Sequence, residues 1–449
     1  MKNRSGEAYR MPPGWFGGSL LVDFTSREAS EWFLSKRKYL IEEIGIDGFK
    51  CDGAEFVWGR DVFSSDGTWG DELRNAYPDK YLKAYSEFTK KYNPEAILFN
   101  RAGGVQASQN SISWTGDQRS SFSAFKDALR ACMNASMSGI PFFAWDAAGF
   151  NDDIPTAELY KRGVAQAAFS PIMQVHSESP GDPQPSRART PWNMAERTGD
   201  EDCINVYRKF SNMRMNLLPY LYTEARYTSI TGIPMMRSMV FEYPEFTEKA
   251  EDLFQYMLGG SLLVAPVVEK GVKEWKVFLP EGEWYDLFSG RKYKGNQIIK
   301  CDADVDAIPV FVKAGSIVLM NLNQQYQFGG KIGNGIDSFD NLVFRIYPAG
   351  KTNYSMYEYT SMKEIFVSVS ENRDKSSIHV EISPFSTDCT LNAFTAKPKA
   401  VSIDDRNNRE HKSLDKLASS DEGYYFDEVS GSVYIKVQRS MKERKVTIS

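Results

Sequence analysis

The sequence has few of the residues that would assign it to a metal-binding, membrane or secreted class. Its 449 residues include only 5 cysteines and 3 histidines, and no Cys-x-x-Cys or Cys/His spacing typical of zinc occurs. No segment approaches the roughly 18 consecutive apolar residues that span a membrane. Met1 is followed by polar residues, glycine and proline rather than an apolar core, so no signal peptide is visible.

The net charge limits the classes of binding partner, and the cysteine content indicates the redox state of the compartment. A net charge of -5 without any block of lysine and arginine argues against a nucleic-acid or anionic-membrane partner. The five cysteines are odd in number and far apart, which favours a reducing compartment, and we therefore expect a cytoplasmic location. Aromatic residues make up 13% of the chain, which suits sugar-stacking surfaces and β-rich cores equally.

Two aspartates each close a short apolar run. Residues 45–52 (GIDGFKCD) end in Asp52, and residues 111–117 (SISWTGD) end in Asp117. Such a run is typical of a buried parallel strand whose last residue emerges at the end where α/β sheets and barrels keep their active sites. Two carboxylates facing one pocket can cleave a glycosidic bond. For either aspartate alone, a helix cap or a turn is the simpler role.

Helices and apolar runs alternate through the first half of the chain. A helix is predicted over residues 28–43, with Thr25 and Glu28 as a capping box, and further helices near 71–92, 121–137 and 156–167. The predicted strands end at Asp52, Arg101, Asp117, Asp146 and His176. Because five parallel strands cannot close a barrel, the fold is either an open sheet or a barrel that the chain enters after the third strand.

The second half of the chain is predicted to be first helical and then rich in β-strands. A polar, proline-containing loop over residues 177–202 precedes a long helix that ends near residue 227. Beyond about residue 245, short alternating segments predict β-sandwiches. The predicted fold class is α/β plus all-β. Its domains are a partial (β/α)8 barrel over 1–245, a proximal C-terminal β-sandwich over 246–323 and a distal one over 324–449.

An ordered series of motifs resembles glycoside hydrolase family 31, the retaining α-glycosidases. In the barrel region the motifs are residues 45–56 (GIDGFKCDGAEF), 114–117 (WTGD), 145–150 (WDAAGF) and 169–176 (FSPIMQVH). Downstream they are residues 217–222 (LLPYLY), 232–237 (GIPMMR), 255–259 (QYMLG), 263–267 (LVAPV), 284–286 (WYD) and 312–316 (VKAGS). The order of these motifs, from about residue 20 to about 320, carries more weight than any one of them.

The resemblance implies that Asp52 is the nucleophile and Asp117 the general acid/base of an exo-acting enzyme that hydrolyses terminal α-linked sugars. In that mechanism one carboxylate attacks the anomeric carbon to form a covalent glycosyl-enzyme, while the other holds a proton for the departing oxygen. Lys50 and Arg101 are candidate cations that keep Asp52 ionised. Retention predicts a separation of about 5 to 5.5 Å between the two carboxyl groups, against roughly 6.5 to 9.5 Å for inversion.

The resemblance also implies a set of substrate contacts, each with a simpler structural alternative. Lys50 resembles the lysine that touches the glycone in α-xylosidase-like members, and its alternative is neutralising a buried aspartate. Arg101 is expected on sugar hydroxyls, or in a structural ion pair. Asp146 and His176 are expected on hydroxyls, with a helix cap and a core histidine as alternatives. Trp114 is a candidate stacking wall or a packing residue.

Glu55 is expected to hold the nucleophile or Arg101 through charge-assisted hydrogen bonds. No metal or cofactor is implied, although a ring of acids at barrel strand ends could instead bind Mg²⁺. The interleaving of arginine, tryptophan and histidine with the acids favours the glycosidase.

Family members usually carry an N-terminal β-sandwich and three further barrel strands, which this sequence lacks. Two alternatives follow. The chain is an active α-glycosidase, or it is an incomplete piece that needs a complementing N-terminal chain or a homo-oligomer. The expected partner in either case is an oligosaccharide or α-glycoside substrate.

Overall fold

The computed structural model describes the whole chain except residues 15, 105, 178–185, 251–252, 337, 359–362, 373 and 375. The chain divides into two compact units. The first unit comprises Met1–Gly116 and Asn134–Trp145, and the second comprises Asp117–Met133 and Asp146–Ser449.

The first unit is built on a four-stranded parallel sheet. Its helices are α1 (Arg27–Ser35), α2 (Lys38–Glu42) and α3 (Gly70–Lys90), and its strands, which neighbour one another in chain order, are β1 (Gly48–Cys51), β2 (Ile97–Asn100), β3 (Ile112–Trp114) and β4 (Phe143–Ala144). Helix α4 (Phe122–Met137) runs through the division between the units. The connection from β1 to β2 through α3 is the crossover that parallel pairing requires.

Helix α3 buries one face because its apolar residues recur at helical spacing. Leu73, Tyr77, Leu82 and Tyr85 lie three to five positions apart and are all buried. Leu82 and Tyr85 belong to a core cluster that also contains residues of β1 and β2. The sheet itself is tightly paired, since a Cβ on Gly48 would stand 1.9 Å from the carbonyl oxygen of Ile97.

Two sequence expectations for the predicted barrel region were wrong, and a third is not confirmed. The single helix over residues 28–43 is two helices, α1 and α2, and its N-cap is Ser26, which accepts from the Ala29 N–H, while Thr25 donates its hydroxyl to Asp23 instead. The fifth predicted strand, ending at His176, does not form. Among the described residues of the second unit, residues 172–177 take part in one backbone hydrogen bond, which the Ala147 N–H donates to the Gln174 carbonyl oxygen at 3.2 Å. The described residues contain no closed barrel, so the partial barrel is not confirmed.

The second unit begins with α-helices. These are α5 (Ala157–Ala168), α6 (Pro191–Thr198), α7 (Asp202–Asn216), α8 (Leu218–Thr231), α9 (Met239–Glu242) and α10 (Phe246–Ala250). Thr156 caps α5 by accepting from the Leu159 N–H, and Thr190 caps α6 in the same way. The predicted proline-rich loop over 177–202 contains α6, and its residues 178–185 lie outside the described part of the chain.

The next strands form two sheets around one apolar cluster. They are β5 (Met236–Ser238), β6 (Tyr256–Leu258), β7 (Leu262–Val264), β8 (Glu274–Leu279), β9 (Glu283–Asp286), β10 (Lys292–Lys294), β11 (Gln297–Asp302) and β12 (Val310–Lys313). One sheet has the order β10-β9-β12-β7-β6-β5, and the other pairs β11 with β8. Trp284, Phe278, Leu263 and Phe311 are central to the buried cluster.

The remaining strands form a five-stranded and a six-stranded sheet. They are β13 (Ser316–Asn321), β14 (Leu342–Tyr347), β15 (Lys351–Glu358), β16 (Lys363–Asn372), β17 (Ser377–Ile382), β18 (Cys389–Phe394), β19 (Val401–Ile403), β20 (Arg406–Asn407), β21 (Gly423–Asp427), β22 (Ser432–Val437) and β23 (Arg444–Ile448), with helix α11 (Leu414–Ala418). The orders are β13-β14-β18-β22-β21 and β15-β16-β17-β23-β19-β20.

The predicted β-rich character of the C-terminal region is confirmed. The proposed boundaries at residues 245 and 323 stay predictions, and β13 pairs with β14 across the second of them. Of the helices among the described residues, none has the length and apolar character that crossing a membrane requires.

Candidate active site

In the first unit, Asp52 directly follows the buried end of β1. Gly53 and Ala54 come next with φ of 80° and 79°, a left-handed conformation that turns the chain sharply away from the strand. The Gly53 N–H donates to Asp52 Oδ1 at 2.8 Å. The Asp52 side chain is 48% exposed, so its carboxylate is accessible to a ligand.

Arg101 links two carboxylates. Because Cys51 pairs with Asn100 in the parallel register, the next residue of each strand, Asp52 and Arg101, emerges at the same edge of the sheet. Arg101 Nε lies 3.2 Å from Asp52 Oδ1, and Arg101 Nη2 lies 2.5 Å from Glu55 Oε1. The guanidinium is only 13% exposed, which strengthens both interactions relative to a surface pair.

Lys50 extends over aromatic rings on the face of the sheet opposite α3. Phe49 packs against Tyr85 of α3, with ring centroids 5.5 Å apart. Lys50, the next residue, places its Nζ 4.1 Å from the centre of the Trp114 ring and 5.5 Å from that of Phe99. An ammonium at this distance is attracted by the ring face. Trp114 is 1% exposed and therefore packs within the unit.

In the second unit, Asp117 lies in a loop held by backbone hydrogen bonds. Asn151 Nδ2 donates to the Asp117 carbonyl oxygen at 2.8 Å. The N–H groups of Phe150 and Asn151 both donate to the Gln118 carbonyl oxygen at 2.9 Å. The Asp117 residue is exposed. The loop of residues 117–121 is therefore fixed against the loop of residues 146–153.

Asp146 and His176 also belong to the second unit. Asp146 is fully buried and its carbonyl oxygen accepts from the Gly149 N–H at 2.8 Å. Since Thr156 caps α5, Asp146 does not cap the following helix. His176 is exposed and its ring lies 5.0 Å from that of Phe150.

Within the first unit, the structure groups the predicted residues into two clusters. Asp52, Glu55 and Arg101 form one cluster, and Lys50 and Trp114 form a second. Asp117, Asp146 and His176 lie in the other unit. The substrate roles stay predictions.

Two residues that hold the backbone of the site were not predicted from the sequence. Asn151 holds the Asp117 carbonyl, and Arg189 donates to several backbone oxygens of the same loops. Both act on backbone atoms at a distance of more than 30 residues along the chain, and no local pattern marks such contacts. Among the described residues, no group of three or more histidine, cysteine or acidic side chains could hold a metal ion.

Carboxylates at strand ends, beside an arginine and aromatic rings, are typical of enzymes that cleave glycosidic bonds. Two family models match the chain: the TIM-barrel domain of glycosyl hydrolase family 31 over residues 1–224, and the C-terminal domain of the same family over residues 232–318. The chain belongs to glycoside hydrolase family 31.

The relatives include a transferase and a glycosidase, each similar to a large part of this chain. An isomaltosyltransferase from Sporosarcina globispora is 45% identical over 448 residues, which cover 100% of this chain and 41% of that protein. A 1,3-alpha-isomaltosidase from Kribbella flavida is 38% identical over 69% of this chain and 43% of its own length. The chain thus spans about two fifths of these relatives.

A solved structure has the same fold over almost the whole chain. The cycloalternan-forming enzyme from Listeria monocytogenes, in complex with a pentasaccharide substrate, superimposes with a TM-score of 0.97 at 45% identity. The match covers 99% of this chain and 42% of that protein.

Proposed function

We propose that this protein chain carries the catalytic residues of a retaining, exo-acting α-glycosidase, which removes α-linked glucosyl groups from the end of its substrate. The observation that supports the proposal most is Asp52, a half-exposed carboxylate just beyond a parallel strand, with the Arg101 guanidinium 3.2 Å away. A nucleophilic carboxylate must be charged and accessible at once, and a neighbouring guanidinium stabilises that charge without covering both oxygens.

The reaction has two steps. In the first, an oxygen of Asp52 attacks the anomeric carbon, the glycosidic bond breaks, and Asp117 gives its proton to the departing oxygen. In the second, Asp117 takes a proton from the incoming hydroxyl group, which attacks the anomeric carbon and displaces Asp52. Glu55 keeps Arg101 in place during both steps.

Some of the remaining predicted residues are assigned to the substrate. Lys50 and the exposed His176 supply polar groups for sugar hydroxyls, and Trp114 supports Lys50. The similarity to an isomaltosyltransferase over the full chain favours an α-glucan oligosaccharide as the donor and a sugar hydroxyl, as well as water, as the acceptor. Transfer and hydrolysis differ only in which hydroxyl enters the second step.

A second candidate is a catalytic segment that works only with a complementing chain. The described residues form four parallel strands, and the outermost strand, β1, pairs only with β2 among them. An unpaired parallel edge is a template for further strands. A polypeptide that supplies these strands would complete the glycone pocket.

The test is an assay of the purified chain on an aryl α-glucoside and on an α-1,6-linked oligosaccharide, with the anomer of the first product read by NMR. The proposal predicts an α-configured product, and loss of the activity in Asp52→Ala. A β-configured product would contradict it. Activity that appears only after a barrel-completing chain from a family member is added would establish the second candidate.

A further inference from the structure

Arg189 is a buried arginine placed immediately before helix α6. The residue is 2% exposed. Its backbone is fixed on the C-terminal side, because the Tyr160 hydroxyl donates to the Arg189 carbonyl oxygen at 3.0 Å and the following residue, Thr190, is the α6 cap. The side chain therefore starts from a rigid position.

The guanidinium of Arg189 donates to backbone and hydroxyl oxygens. Nη1 donates to the carbonyl oxygen of Arg187 at 2.6 Å. Nη2 shares its hydrogens among the Ser120 hydroxyl at 3.1 Å and the carbonyl oxygens of Asn151, Asp152 and Asp153 at 3.1, 3.4 and 3.0 Å. One side chain thus contacts the loop of residues 117–121 and the loop of residues 146–153.

The second of these loops has a backbone that needs external support. Ala148 and Asp152 have φ of 69° and 70°, in the left-handed region that residues with a Cβ rarely adopt. Gly149, with φ 99°, approaches the other loop so closely that a Cβ there would stand 2.7 Å from the Arg119 carbonyl oxygen. Such conformations persist only where surrounding contacts fix them.

The contacts lead from Arg189 to the acid/base residue. Arg189 and the Ser120 hydroxyl both donate to the Asn151 carbonyl oxygen, the latter at 2.9 Å. The Asn151 side chain in turn donates to the Asp117 carbonyl oxygen. We propose that Arg189 is a positioning residue that fixes the loop of residues 146–153 against the loop carrying Asp117. It thereby sets where the Asp117 carboxyl group meets the departing oxygen.

The inference rests on the acid/base role proposed for Asp117. Proton transfer requires a heavy-atom distance of about 2.6–3.2 Å, so a shift of one ångström in the loop would remove most of the acid catalysis. Such a loss depends on the substrate. An activated leaving group, such as the fluoride of a glycosyl fluoride, departs without taking up a proton. A sugar leaving group must be protonated as it departs.

The test compares Arg189→Met and Arg189→Lys with Arg197→Met. Arg197 is a matched control because it is an arginine of α6 that donates to the side chain of Asp153, at 2.8 Å, and so contacts the same loop, while none of its hydrogen bonds within the described residues reaches residues 117–121. Circular dichroism checks that each variant is folded.

The first readout is amide hydrogen exchange at Phe150 and Asn151, whose N–H groups donate to Gln118. We expect at least about tenfold faster exchange in Arg189→Met, partial protection in Arg189→Lys, and unchanged exchange in Arg197→Met. Unchanged exchange in a folded Arg189→Met would overturn the proposal. This readout needs no activity.

The second readout is kcat/KM on the two kinds of substrate. Arg189→Met should lose about 100-fold on an unactivated oligosaccharide and less than about fivefold on the glucosyl fluoride. Equal losses on both substrates would contradict a positioning role. If Asp117→Ala itself shows equal losses, the acid/base assignment fails while the exchange data still decide the role of Arg189.

Discussion

The two loops that carry the predicted catalytic aspartates are each held by an arginine with little solvent exposure, but in different ways. Arg101 contacts carboxylates: it lies 3.2 Å from Asp52 and 2.5 Å from Glu55. Arg189 contacts backbone carbonyl groups and a hydroxyl group around Asn151. The first arginine acts on the charge of a side chain, and the second acts on the path of the chain.

This difference fits what each aspartate is proposed to do. A nucleophile needs a stabilised negative charge at a fixed point, which a guanidinium supplies directly. An acid/base residue must meet the departing oxygen at hydrogen-bond distance in both steps, so the position of its backbone matters. The hydrogen bonds around Asn151 fix the Asp117 backbone at its carbonyl group.

The largest expected effect comes from replacing the aspartates themselves. Asp52→Ala should lower kcat at least about 10⁴-fold on every substrate, because no covalent intermediate can form. Asp117→Ala should lose a similar factor on an unactivated oligosaccharide but much less of kcat/KM on a glucosyl fluoride. The two aspartates would have the same role if their variants showed the same substrate dependence.

Removal of Arg101 should have the next largest effect. We expect Arg101→Met to lower kcat/KM by about 10²–10³-fold, equally for activated and unactivated substrates, because the nucleophile is needed for both. Arg60→Met is the control, since Arg60 pairs with Asp71 in a bridge whose side chains are 83% and 62% exposed. A loss confined to unactivated substrates would place Arg101 with the acid/base residue instead.

A glycine pair sharpens the comparison of the loops. Gly149→Ala should destabilise the protein by about 3 kcal/mol, because a Cβ would collide with Arg119 and Ser120 as well as oppose a φ of 99°. Gly139→Ala also has a positive φ, 88°, but nothing within 4 Å, so about 1–2 kcal/mol is expected. Urea unfolding measures both. Equal losses of unfolding free energy in the two variants would show that the close contact of Gly149 with the Asp117 loop does not add to the cost of the Gly149→Ala substitution.

A third arginine, Arg237, pairs with a carboxylate that is buried away from solvent. Arg237 Nη2 lies 3.8 Å from Glu224 Oε2, and the Glu224 side chain is 9% exposed. Burial raises the pKa of Glu224 to about 7, although Arg237 and the Gly260 N–H act in the opposite direction. In the unfolded chain the pKa of glutamate is about 4.3.

Because the folded state holds this proton more tightly, its contribution to stability is complete below about pH 4.3 and is lost as the pH rises through about 7. The free energy of unfolding of the wild type should therefore fall by about 2–3 kcal/mol more than that of Glu224→Gln between pH 5 and pH 8. Urea unfolding at the two pH values checks this. Parallel falls in the two proteins would refute it.

The sequence predicts helices α3, α4 and α5 and strands β1 to β4, because hydrophobic periodicity indicates which face of an element is buried. It also places Asp52 and Arg101 at one edge, since parallel strands end together. It fails for the run ending at His176, because residues 172–175 are only partly buried and form no strand ladder. It also fails for Asn151 and Arg189, whose hydrogen bonds to distant carbonyl groups depend on the completed fold.

The most direct test of the central claim is to trap the intermediate. A fluorinated glucosyl fluoride forms the covalent ester quickly and releases it slowly, so the labelled residue can be found by peptide mass spectrometry after incubation with the chain, alone or completed by barrel strands. We predict that the sugar is attached to Asp52, and that Arg101→Met forms the ester more slowly. Attachment to any other residue, or rapid turnover without a trapped ester, would contradict the assignment of Asp52 as the nucleophile.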